Sequence, residues 1–308
     1  MNFDPSSPQY RSVRSRLASA FQEPFNVVGL AGSLALAAAL LTPLPLLCAV
    51  VAEVAYLLFV PDTAWFTKRL ESRFDAEVRA HREQLKSKVF PKIRDEILER
   101  FNWLEQARAQ IEQTSTVQDN WFREALRKLD FLLEKYLQFA DRESEYLAYL
   151  LSLLRESYST LTRDEIRDLP SLARYKDAYV PPHDVKISQQ DVQELIDAIQ
   201  KHYDVAIEAL ASSSETEQVL ATREIESKRK EVLTRRKEFI IRLSDMMVNL
   251  RHQMELIAET FGLINDELRA RSPEQVLADI DDVVMQATSL TDALDSMTPA
   301  DQVVAKLT

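Results

Sequence analysis

Glycine is almost missing from this chain. Three glycines in 308 residues is far below the ~7% usual in proteins. Gly29 and Gly32 share one apolar stretch, which leaves Gly262 alone in the remainder. A chain that rarely needs positive φ builds few tight hairpins and few glycine-lined ligand loops, and no phosphate-binding loop can be written from it. The single cysteine, Cys48, excludes an intrachain disulfide framework and any cysteine-rich metal site. In its apolar surroundings it reads as a small membrane residue. The four histidines, His81, His183, His202 and His252, are scattered, with no zinc spacing and no Glu-x-x-His pair. They read as solvated or packing residues, and His183, beside two prolines, is the one worth testing. Positive charge is also short: 38 Lys and Arg against 49 Asp and Glu give a net charge of −11. That balance argues against a surface built as a whole for nucleic acid or anionic lipid. Carboxylates occur along every helix, so a pair such as Asp281 and Asp282 reads as charged outer face. With no catalytic or cofactor motif in view, the expected class is non-enzymatic, with no cofactor.

What is present is apolar periodicity. Hydrophobic residues make up 46% and charged residues 28%, which excludes a disordered tail. Prolines gather at Pro5, Pro8 and Pro24 before the apolar stretch, and at Pro43, Pro45 and Pro61 within it or at its end. Pro170, Pro181 and Pro182 cluster later, and Pro273 and Pro299 fall where helices should begin. Only Pro91 interrupts a helical pattern, where a kink is expected. The predicted fold class is all-α.

From Phe25 to Val60 the only charged residue is Glu53, a run too long for a buried core helix and longer than a signal-peptide core. Thr42-Pro43-Leu44-Pro45 interrupts it and gives two segments, Phe25–Leu41 and Leu46–Val60. Each reaches roughly 25 Å or less, a little short of the ~30 Å hydrocarbon core. A membrane helical hairpin is expected, crossing a thinned bilayer or inserting deeply without crossing; one tilted, kinked span is the alternative. Arg11, Arg14 and Arg16 before it and Lys68, Arg69 and Arg73 after it suit two cytoplasmic ends. Trp65 and Phe66 are candidate interfacial anchors. Tyr10, Val13, Leu17 and Phe21 could form a short interfacial helix. Gly29, Ser33 and Ala37 repeat at the four-residue spacing that lets membrane helices approach closely, although such spacing is common in Ala-rich spans. Glu53 is costly inside a membrane and is a functional candidate on that ground; it could equally reach water or line a subunit contact.

Beyond Pro61 come long amphipathic segments. Phe122, Leu126, Leu129, Leu133, Tyr136, Ala140, Leu147, Leu150 and Leu154 follow a 4-3 rhythm. Further apolar residues broaden this face, so it is expected to be the central helix of a bundle. Phe239, Leu243, Met246, Leu250, Met254, Ile257, Phe261, Ile264 and Leu268 form a second stripe, a heptad broken once by a four-residue stutter. Ser272-Pro273-Glu274-Gln275 is a clear helix start. One basic cluster stands out: Lys228, Arg229 and Lys230, with Arg235, Arg236 and Lys237 seven residues on. It could meet anionic lipid, nucleic acid or an acidic partner. The interleaved Glu224, Glu226, Glu231 and Glu238 favour simple pairing within the helix.

The expected organisation is an interfacial segment over 1–23, the hairpin over 24–61 and a first bundle part over 62–160. A Pro-containing connector over 161–187 follows, then a second bundle part over 188–297 with a long helix at about 215–271, and a tail over 298–308. The elongated bundle should pack in coiled-coil fashion. The function this implies is a membrane-anchored scaffold or adaptor that self-associates or docks a protein partner through its body. An oligomeric pore, channel or membrane-remodelling protein is the alternative. The expected partners are the lipid bilayer and further copies of the chain, with nucleic acid disfavoured. The expected location is a membrane of the bacterial inner-membrane type, with the body in the cytoplasm.

Overall fold

The computed structural model describes residues 21, 24–40, 44–59, 63–114, 120–158, 189–213, 220–267 and 272–305. These residues are 96% helical and contain no strand. They form eight helices: α1 (Pro24–Leu40), α2 (Leu44–Phe59), α3 (Ala64–Val89), α4 (Asp95–Thr114), α5 (Asn120–Tyr158), α6 (Gln189–Ser213), α7 (Leu220–Glu267) and α8 (Pro273–Ala305). The chain divides into two compact units, residues 1–84 and 85–308.

In the first unit, α1 and α2 pack on each other. They have 17 and 16 residues, about 25 Å each. No helix among the described residues is long and apolar enough to cross a membrane. The expected membrane hairpin, and a transmembrane helix within it, are therefore not supported: the prolines cut the apolar run into two pieces shorter than the ~20 residues a span needs. The interfacial segment over 1–23 lies outside the described residues except for Phe21, which is exposed. Thr63 caps α3, its Oγ1 accepting from the Phe66 amide at 3.4 Å and so satisfying one of the orphan donors of the first turn.

The second unit is a bundle in which α5 and α7 each touch four other helices. Ion pairs give the directions. Arg108 meets Asp130 and Arg94 meets Glu143, so α4 and α5 run antiparallel. Arg251 meets Glu143 and Phe239 stacks on Tyr149, so α5 and α7 are antiparallel too. Lys128 meets Asp281 and, fourteen residues on in both helices, Arg142 meets Asp295; α5 and α8 run parallel. One core joins α4, the first half of α5, the second half of α7 and α8, with Phe101, Leu129, Leu132, Leu250, Ile257 and Phe261 fully enclosed. The other joins Leu147–Leu153 of α5 with Val192–Tyr203 of α6 and Ile240–Met247 of α7. The α7 stripe read from the sequence is the shared wall: Leu243 lies in the second core and Met246 through Ile264 in the first. Leu268 lies outside the described residues.

Two boundaries differ from the sequence reading. At Pro91 the helix does not kink but stops: α3 ends at Val89, and α4 restarts at Asp95 with Asp95 and Glu96 in its first turn. Proline lacks the amide a continuing helix needs, and the amides of Lys92 and Ile93 bond back to the Val89 carbonyl instead. The long helix expected at about 215–271 is described over Leu220–Glu267, 48 residues or about 72 Å; 215–219 and 268–271 lie outside the described residues. At the other end α8 continues through Pro299 to Ala305, where a tail over 298–308 was expected. The connector over 161–187 lies outside the described residues.

Candidate functional site

On the hairpin, large apolar side chains point outward. Val28 and Leu36 on α1, and Leu47, Val51 and Phe59 on α2, are exposed, Phe59 at 74%. Cys48 is exposed among them. Of the three small residues, Ser33 and Ala37 are half-buried, while Gly29 is exposed and a Cβ there would meet nothing within 4 Å. Glu53 is half-buried on α2. The two anchor candidates part company. Trp65 is exposed with the Arg69 guanidinium 5.4 Å from its ring centre, whereas Phe66 is buried at 1% and presents no face to a headgroup.

The basic cluster lies on the first third of α7. Lys228, Arg229, Lys230 and Arg235 are exposed; Arg236 and Lys237 are half-buried. Lys228 donates to Glu224 at 2.9 Å and Arg235 to Glu231 at 2.6 Å, each one turn back. Lys237 pairs with Asp204 of α6. Each exposed pair contributes little to stability, but together they cancel much of the local positive field.

The most unusual polar group in the bundle is one that periodicity alone passes over. Glu143, 2% exposed, accepts from Arg94 Nη2 at 2.8 Å and from Arg251 Nε at 2.7 Å, both at Oε1. Its Oε2 and the Arg251 Nη2 are buried without a hydrogen-bond partner among the described residues. Two guanidinium groups thus share one carboxylate. The neighbouring α5 residues hold the Pro91 turn: Asp141 pairs with Lys92 at 3.0 Å, and the Ser144 hydroxyl donates to the Lys92 carbonyl at 2.8 Å. A turn following a helix end has carbonyls to satisfy, and α5 supplies the donor. The signal was in the α5 stripe. Its 4-3 rhythm runs Leu133, Tyr136, Ala140 and then, three residues on, Glu143, where an apolar residue belongs before Leu147.

Tyr136 is enclosed beside this cluster. Burial raises its phenol well above the ordinary value; Arg100 and Arg94 oppose that and Glu143 adds to it. Further along, Arg108 grips Asp130 with two bonds of 2.8 and 3.1 Å and also meets Glu112. Burial works against its charge, but Asp130 and Glu112 outweigh it, and the guanidinium is held above its ordinary value. Of the histidines, His202 stacks edge-on with Tyr203, His81 is half-buried and His252 exposed; His183 lies outside the described residues. Among the described residues no group of three His, Cys, Asp or Glu side chains is arranged to hold a metal. No protein-family model matches the chain, and no curated protein or solved structure is detectably similar to it.

Proposed function

We propose that this chain is a non-enzymatic, membrane-anchored helical scaffold or adaptor that self-associates or docks a protein partner through its helical body. The observation that carries the reading is the outward-facing apolar surface of the α1–α2 hairpin, from Val28 to Phe59. Contiguous apolar surface in water marks an interaction site. A pair of helices about 25 Å long whose one charged residue is Glu53 is suited to dip into a bilayer and return, leaving both ends on one side. Trp65, with Arg69 over its ring, then sits at the headgroup level, and the body lies in the aqueous phase. In a bacterium this is the cytoplasmic face of the inner membrane.

Cys48 supplies the test, because it is the only thiol in the chain and is exposed on α2. The full-length protein should float with phosphatidylcholine vesicles and stay bound in high salt. There Cys48 should resist a membrane-impermeant maleimide until detergent is added. A chain that stays unbound, or a thiol that reacts equally with and without detergent, overturns the anchor.

The open space at Gly29 favours a second reading, an oligomeric pore or membrane-remodelling assembly in which a neighbouring copy approaches α1 there. Vesicle leakage abolished by Glu53→Leu supports it; intact vesicles at high protein load sink it.

A further inference from the structure

A groove of about 380 Å³ lies between α6 and α7, wholly within the second compact unit and independent of the anchor. Its volume is near the lower end of small-molecule sites. Val192, Ile196 and Met247 form a floor, each 2% exposed. Val248 and Gln193 stand exposed at the rim, and Ser244 is half-buried between them. Because α6 and α7 run antiparallel, Val192 marks the end of the groove that Arg251 closes.

The floor is aliphatic, with no aromatic plate among the described lining residues, and contains a flexible methionine that adapts to chain-like ligands. Its charge is lopsided. Arg251 spends one donor, Nε, on Glu143, while Nη2 is buried without a hydrogen-bond partner among the described residues. Glu143 is already shared with Arg94, and Arg251 is the one charged side chain among the described residues lining the groove. Asp197, on α6 but not among the lining residues, is exposed and accepts from the Gln193 amide at 3.0 Å. An arginine beside an apolar trough is complementary to a carboxylate bearing an alkyl chain.

We propose that this groove binds a short aliphatic carboxylate, its chain along Val192, Ile196 and Met247 and its head at Arg251. The chain contributes by apolar burial and the head by a charge-assisted hydrogen bond. Neither half alone suffices.

Equilibrium dialysis of full-length, detergent-purified protein against radiolabelled octanoate, with a detergent blank, tests this. One saturable site per chain is expected. Octanamide, equal in length but uncharged, should bind at least about tenfold more weakly, and acetate should not compete. Ser244→Phe, which fills the trough without touching the ion cluster, should weaken octanoate about tenfold or more while leaving helix content unchanged. Absence of a saturable site, equal binding of octanamide, competition by acetate at octanoate concentrations, or wild-type affinity in folded Ser244→Phe overturns the proposal. Should that variant not fold, the octanoate–octanamide comparison on the unaltered protein decides alone.

Discussion

Replacing Glu143 by glutamine removes one negative charge and keeps the side chain's shape. In the folded protein Arg94 and Arg251 both bond its Oε1, and their side chains are only 14% and 12% exposed against 3% for Glu143. None of the three is screened as a surface pair would be. Breaking a buried ion pair from one side strands charge in a poorly hydrated place and costs about 3–5 kcal/mol; here one substitution strands two cations. With a urea dependence of about 3 kcal/mol per molar, the upper end for small proteins, the midpoint should fall by roughly 1–1.7 M. Circular dichroism of the full-length protein in detergent measures it. Arg142 provides the contrast: its side chain is 35% exposed, with Glu145 at 3.0 Å and Asp295 at 3.8 Å. Arg142→Ala should cost no more than about 1 kcal/mol. Replacing all three buried charges together, as Arg94→Met, Glu143→Leu and Arg251→Met, should recover most of the loss, since no stranded charge remains. If Glu143→Gln shifts the midpoint no further than Arg142→Ala does, the cluster is hydrated and the reasoning fails.

Two further outcomes follow from the bundle. The Tyr136 phenol is raised above its ordinary value of 10.0 by burial, so its contribution is intact below that pH. Above it the unfolded chain ionises first, and stability should fall by up to about 1.4 kcal/mol per pH unit. Tyr136→Phe should flatten that part of the decline in thermal melts run upward from about pH 9; an unchanged slope refutes it. Gly262 lies inside α7, and a Cβ there would meet only the edge of the Trp103 ring at 3.9 Å, ordinary contact. Gly262→Ala should therefore stabilise the bundle by about 0.5–1 kcal/mol, and a drop in melting temperature would contradict the packing of α4 on α7.

Much of the bundle was legible because its apolar residues recur at helical spacing. Leu129, Leu133 and Ala140 on α5, and Leu250, Ile257 and Phe261 on α7, are all enclosed. Ser272 and Pro273 marked the start of α8, where the Ser272 carbonyl accepts from the Gln275 amide. The Pro91 interruption was visible, but its depth was not, because stopping the helix depends on partners from α5, fifty residues away. Pro299 misled for the opposite reason: a proline removes one amide, and α8 continues past it. The pairing of Phe66 with Trp65 rested on adjacency, yet neighbours on a helix point about 100° apart, and one ring is buried while the other is exposed. The groove at Arg251 was hidden because Arg251 and Val192 are brought together only by the antiparallel docking of α6 on α7. Glu143 was hidden by its chemistry, since a lone glutamate among 49 acidic residues stands out only when its place in the stripe is counted.

The contact between Arg251 and Glu143 closes 108 residues of chain, and this sets a delay during synthesis. At about 5–20 residues per second, α5 precedes its α7 partner by roughly 5–20 s. During that interval α4 is already made and belongs against the first half of α5 in the finished fold, whereas α7 and α8 are still to come. The α5 face that will meet α7 and α8 stays uncovered. The broad stripe that makes α5 the centre of the mature bundle is therefore the growing chain's most adhesive surface, and synthesis rate becomes a determinant of how much of it folds.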